Sequence, residues 1–289
     1  MPVVDVHQHF WPEPLVEALS RRQRPPRLRG SVLELAGERE TPVDLAAHDL
    51  DARLTLLDRF EIDMAVVCLQ PTLGFGALPD DERDELVAAY EDGILEIAAA
   101  TSRLIPLSAG RSRNGFVGAC IGARDLIDLD RLAPTLDELE GRKEFVFVHP
   151  GAARSESVGT LPDWWAAVVD YTAQMQAAYA IWLSHGVERW PDLPVVFAIL
   201  AGGGPFQLER LQSRGLAGRE LLHTNVFFET ASYGRRALEL CLATFGVGQL
   251  LFGSDTPVID PEPTLSAVRG FGDAVADALC AQNPVRLLR

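Results

Sequence analysis

Eight short runs of β-type apolar residues recur along this chain, alternating with helix-like patterns. The runs are Val3–Val6, Met64–Leu69, Leu104–Leu107, Phe116–Ile121, Phe145–Val148, Val195–Leu200, Val226–Glu229 and Gln249–Phe252. Helical spacing marks Leu45–Phe60, Asp80–Ser102, Leu132–Leu139, Pro162–Leu183, Arg235–Phe245 and most of Pro263–Leu288. Strands that alternate with helices form parallel sheets covered by helices, which is an α/β class. Phe145-Val146-Phe147-Val148 shows no polar alternation, as expected of a strand buried on both faces. A chain of 289 residues, 47% of them hydrophobic, can fill one large core. Eight units at this length favour a single closed (β/α)8 barrel spanning 1–289 over an open doubly wound sheet.

Two kinds of segment interrupt the alternation. Trp11–Pro42, rich in proline and arginine, reads as a long loop insertion with a short helix, leaving the first strand at its C-terminal end. Gly110–Gly115 and Gly151–Thr160 read as loops after the third and fifth strands. Gly202–Gly204 lacks the lysine and spacing of a phosphate loop, and more simply turns the chain tightly into a helix beginning near Pro205. The net charge of −15 repels phosphate backbones and anionic headgroups, so neither nucleic acid nor a membrane surface is an expected partner. No run of about 18 apolar residues or signal-type leader is present. Cys68, Cys120, Cys241 and Cys280 are scattered without a CxxC pair. They read as reduced, buried thiols of a cytoplasmic protein.

Barrels place their chemistry at the C-terminal ends of the strands. His7 and His9 end the first strand, and period-two alternation points both imidazoles the same way. Asp5 shares their parity, one step deeper. His149 ends the fifth strand and Asp255 follows the eighth. Three neutral imidazoles and one carboxylate suit a single divalent ion, Zn²⁺ foremost, with Mn²⁺, Fe²⁺ and Co²⁺ able to use the same donors. Arg124, after the fourth strand, could grip a substrate carboxylate bidentately or form a surface ion pair. Arg111 and Arg113 have the same potential. Gln70 could hydrogen-bond a substrate or cap a loop; Trp11 and Phe10 could wall the pocket or join the core. Glu229, ending the seventh strand, could orient a ligand histidine. His48, His185 and His223 read as packing or surface residues.

These segments resemble a known family. HxH, FVHPG, PDLPVVFA…GGGPF and LLFGSDTP stand in the order seen in the amidohydrolase superfamily. The similarity is to its amidohydrolase-related branch, which includes aminocarboxymuconate-semialdehyde decarboxylase, aromatic acid decarboxylases and some lactone hydrolases. The resemblance implies a barrel, a mononuclear metal site at His7, His9, His149 and Asp255, and an enzyme acting on a small, often acidic, molecule. It also has a departure. The family usually carries a histidine after the sixth strand, within A-H-x-G-G, and here that position is Ile199. Ile199 shares strand parity with Val195 and Phe197 and would face the substrate, yet it can neither donate nor accept a proton. A second metal is therefore not expected, and acid–base work passes to Asp255. The leading expectation is a metal-dependent hydrolase of an ester, lactone or amide-like bond in a small carboxylate-bearing molecule. The alternative is a metal-dependent non-oxidative decarboxylase of a small aromatic or unsaturated acid. A second alternative is a barrel that lost catalysis along with the histidine. Barrels of this type often pair, so a homodimer stands beside a monomer.

Overall fold

The computed structural model describes residues 1–153, 161–216 and 223–289. From residue 154 onward, the expected loop Gly151–Thr160 lies outside them. Eight parallel strands form the barrel: β1 (Val4–His9), β2 (Met64–Cys68), β3 (Leu104–Pro106, resumed as Ser108–Ala109), β4 (Gly118–Gly122), β5 (Phe145–His149), β6 (Val195–Phe197), β7 (Val226–Glu229) and β8 (Leu250–Leu251). Interrupted at Leu107, β3 pairs with β2 through its first half and with β4 through its second. The ring closes between β8 and β1. Val6 N–H donates to the Phe252 carbonyl (2.9 Å), Asp255 N–H to that of His7 (2.8 Å), and His9 N–H to that of Thr256 (2.6 Å). Every residue of β1, β4, β5 and β7 is buried, as the apolar runs required.

The outer layer is formed by α1 (Glu13–Arg21), α2 (Leu50–Arg59), α3 (Asp80–Ala100), α4 (Leu129–Gly141), α5 (Tyr171–Ile181), α6 (Ile199–Gln212), α7 (Arg235–Phe245) and α8 (Glu262–Arg269), with short helical turns to Leu287. The expected helix Leu45–Phe60 is two elements. Asp49 breaks it by capping α2, its Oδ1 accepting Ala52 N–H at 3.0 Å. His48 therefore closes the preceding 3₁₀ turn Leu45–His48 instead of lying within a helix. The long helix expected over Pro162–Leu183 is α5 flanked by π-helical turns at Ala166–Asp170 and Trp182–Gly186. The insertion Trp11–Pro42 is more ordered than a loop: after α1 it forms a small antiparallel sheet from Arg27–Arg29, Val32–Glu34 and Thr41–Pro42.

One barrel unit departs from the alternation. No helix lies between β3 and β4, because residues 110–117 are too few to return along the barrel as a helix. The crossing is tied down by Glu91, a fully buried carboxylate of α3 that accepts Ala109 N–H (3.0 Å) and pairs with Arg113 (2.6 Å) and Arg111 (3.4 Å).

Candidate metal centre

The four expected donors meet above the barrel axis. One ligand atom from each of His7, His9, His149 and Asp255 lies within 4.8 Å of all the others. His7 Nε2 is 3.3 Å from His9 Nε2, and Asp255 Oδ1 is 2.9 Å from His9 Nε2 and 3.5 Å from His7 Nε2. The imidazoles are buried, and the Asp255 carboxylate alone keeps some exposure, 16% of its side chain.

The opposite ring nitrogens are all engaged. His9 Nδ1 bonds the Cys68 carbonyl (3.1 Å) and His149 Nδ1 the Pro150 carbonyl (2.9 Å). A carbonyl only accepts, so both Nδ1 atoms carry protons. His7 Nδ1 donates likewise to the Glu229 carboxylate at 3.0 Å. With Nδ1 engaged in this way, Nε2 is the nitrogen that each ring has left to offer a cation. Three lone pairs and a carboxylate oxygen crowded this closely repel one another unless positive charge sits among them. This donor set fits a divalent cation.

The electrostatics agree. Burial opposes charge on His7, but Glu229 and Asp255 outweigh it and push its pKa up to about 10. For His9, burial is outweighed by Cys68 and Asp255, and the ring reaches about 9. His149 shifts down, through burial and then the neighbouring His9 and His7. Burial would raise Asp255, yet the imidazoles hold it below the ordinary carboxylate range. The cluster thus demands positive charge, and protons on His7 and His9 supply it when no metal does.

Local backbone explains the aim of these side chains. The β1–β2 register slips by a residue between Asp5 and Gln8. This bulge breaks the strict alternation that the sequence suggested for Asp5. Its carboxylate meets backbone instead: Oδ1 accepts His7 N–H and Ser254 N–H, both at 3.0 Å, and Oδ2 accepts the Gln8 side-chain amide at 2.8 Å. Glu229 fits against Gly253, where any Cβ would collide with its carboxylate.

Ile199 corrects a second expectation. β6 stops at Phe197, and Ile199 opens a left-handed turn with φ of 45°, 51°, 54°, 64° and 87° through Gly203. Strand parity therefore does not apply to it. What it offers the site is its backbone: Ile199 N–H donates to Glu229 Oε2 (3.1 Å), the oxygen that holds His7. The glycines that follow turn the chain into α6, as read from the sequence.

The remaining candidates separate into two groups. Trp11 is buried, stacked on His48 at 4.8 Å, and its indole N–H donates to Gln70 Oε1 at 2.9 Å. Gln70 and the exposed Arg124 line a cavity of about 510 Å³ over the ends of β2 to β5. None of the four donors lines that cavity, whose wall also takes in Arg83 and Val87 of α3 and Leu132 of α4; Gly151, two residues beyond His149, borders it. Arg111 also borders it but is paired with Glu91, as is Arg113. Phe10 is core, and His185 is exposed. Sequence reading missed Arg53, which is 1% exposed and bonded to β1. Its signal was present: Arg53 shares the apolar face of Leu50, Leu54 and Leu57 at helical spacing.

Comparisons place this geometry among known proteins. A curated relative, Decarboxylase yanB of Aspergillus niger, is 24% identical over 331 residues, covering 99% of this chain and 87% of that protein. The crystal structure of Metarhizium anisopliae IDCase in apo form superposes with a TM-score of 0.80 at 19% identity, covering 100% of this chain and 97% of that one. That of 5-carboxyvanillate decarboxylase LigW from Sphingomonas paucimobilis gives 0.76 at 18% identity, covering 100% and 99%. The profile described as Amidohydrolase matches residues 4–289, and the chain therefore belongs to that family.

Proposed function

We propose that this protein is a metal-dependent, non-oxidative decarboxylase of a small aromatic or unsaturated acid. The observation that carries the reading is the convergence of three imidazoles and one carboxylate, a ligand atom of each within 4.8 Å of the others, in a chain several of whose full-length relatives bear decarboxylase names. Hydrolysis, the leading expectation from sequence, has less support from those names. His7, His9, His149 and Asp255 would hold the ion. Bound there, a divalent cation would supply Lewis acidity, drawing a carboxylate and a neighbouring oxygen of the substrate together and stabilising the charge left as CO₂ departs.

The protein's own groups would do the rest. Glu229 fixes the His7 tautomer, and the Cys68 and Pro150 carbonyls fix those of His9 and His149. Asp255, the ligand with residual exposure, would carry a proton from solvent to the carbon that loses CO₂. Ile199 itself has no proton to offer for that task. Arg124 and Gln70, lining one cavity, would grip the polar groups of the acid, with Trp11 holding Gln70 in place.

The test is CO₂ release by metal-reconstituted protein from a panel of hydroxybenzoates and unsaturated acids. One CO₂ per molecule of decarboxylated product is expected, with the rate of release at least about 100-fold lower in Asp255→Asn. Turnover of lactones or esters without CO₂ would overturn the reading in favour of hydrolysis. Full activity in Asp255→Asn would remove the acid–base role.

A further inference from the structure

Arg53 of α2 is a buried guanidinium within ion-pair distance of no carboxylate among the described residues. A buried charge with no direct ion pair is costly, and the attraction of Asp5, one side chain away through Gln8, offsets only part of that cost, so its place calls for a reason. Its Nη1 donates to Gln8 Oε1 (2.9 Å), and its Nη2 to the carbonyls of His9 and Ala47 (both 3.0 Å). Its guanidinium also lies over the Phe10 ring, 5.3 Å from the centroid. Gln8 passes the contact on, its amide nitrogen donating to Asp5 Oδ2 at 2.8 Å. Asp5 Oδ1 in turn accepts one N–H from β1, at His7, and one from Ser254 beside Asp255. The relay runs through the β1 bulge, between the two histidines and the carboxylate that they must meet.

We infer that Arg53 is a positioning residue for the metal centre: through Gln8 and Asp5 it fixes the β1 bulge and the spacing between the His7–His9 and Asp255 arms. This rests on the reading of the four-donor cluster as a metal site. Electrostatics argues that geometry is the purpose. A guanidinium bonded to the backbone of a ligand histidine repels a nearby cation, so its charge alone would weaken binding. It is retained because its planar fork holds Gln8 and the His9 carbonyl together. A lysine presents one ammonium in place of that fork.

Zn²⁺ affinity of the full chain, measured by competition with a chromophoric chelator, separates these effects without any substrate. The visible spectrum of the Co²⁺-loaded protein reports ligand geometry. Arg53→Met is expected to weaken Zn²⁺ binding 10- to 100-fold, the scale of lost outer-shell support, and to shift the Co²⁺ bands. Arg53→Lys is expected to be weakened similarly, because charge is not the working part. Gln8→Met, which breaks the relay but keeps side-chain length, is expected to weaken binding several-fold, and it decides the matter if Arg53→Met does not fold. Tighter binding in Arg53→Met would show that repulsion dominates, and unchanged binding with a lower Tm would show a purely structural role; either overturns the inference. Wild-type affinity in Arg53→Lys would overturn it too. Wild-type protein that takes up no metal would instead sink the centre itself.

Discussion

At the scale of single residues, the site is built from side chains whose second contact matters as much as the first. His7 faces the other donors because Glu229 holds its far nitrogen, and Glu229 is held by the Ile199 and Ala231 N–H groups. His48 shows the same economy in a packing role. It lies stacked on Trp11 and accepts Trp11 N–H at Nδ1 (3.0 Å), so it must be neutral. Burial, then Arg53 and His9, pull its pKa down to about 3. The folded state therefore binds fewer protons than the unfolded chain between the folded value and the unperturbed 6.5. Stability from this residue is complete above pH 6.5 and is lost as the pH falls below it, at about 1.4 kcal/mol per pH unit. Asparagine at this position would keep an acceptor but not titrate. Between pH 7.5 and 5.5, wild type is expected to lose about 1.4 kcal/mol more unfolding free energy in urea than His48→Asn. Equal losses in the two proteins would refute the assignment.

At the scale of elements, two local devices shape the barrel mouth: the bulge in β1 and the left-handed turn opening α6. The turn holds three residues with a Cβ in a conformation that costs roughly 1–2 kcal/mol each. It is tolerated because Gly202 lets the chain press against α5. Any Cβ there would collide with the Thr172 carbonyl, and the Gln176 amide donates to the Gly202 carbonyl at 2.8 Å. Gly202→Ala adds both the clash and the penalty of a φ of 64°. We expect it to lose at least about 2 kcal/mol, lowering Tm by roughly 3 °C or more. Because the Ile199 N–H holds Glu229, metal affinity should fall with it. A Gly202→Ala protein with wild-type Tm would mean that the turn is not under this constraint. The bulge was illegible in the sequence pattern, and of the turn only its glycine half, Gly202–Gly204, was read in advance. A bulge adds a residue without changing composition, and Ile-Leu-Ala at the end of an apolar run continues a strand as naturally as it starts a turn.

At the scale of the whole molecule, the ligand cluster joins β1, β5 and β8, so a bound ion bridges the two ends of the chain and its middle. Metal should therefore stabilise the global fold. With free Zn²⁺ at about 1,000 times Kd, linkage gives roughly 4 kcal/mol. We expect Tm to rise by about 6 °C on reconstitution, to fall back with a chelator, and not to respond to Zn²⁺ in the His7→Ala/His9→Ala double variant. A metal response that persists in the double variant would place the ion elsewhere. The barrel and its four donors were readable in advance because both follow from local rules: apolar runs mark buried parallel strands, and residues just past them lie at the strand ends where a barrel gathers them. The missing helix after β3 was half visible in the shortness of Gly110–Gly115. Folding alone supplied the partners of those donors. Asp5 meets the Ser254 backbone across 249 residues, His7 meets Glu229 across 222, and Arg53 reaches β1 from 45 residues away. No periodicity encodes such pairs, since they exist only after the sheet has closed on itself and brought its first strand against its last.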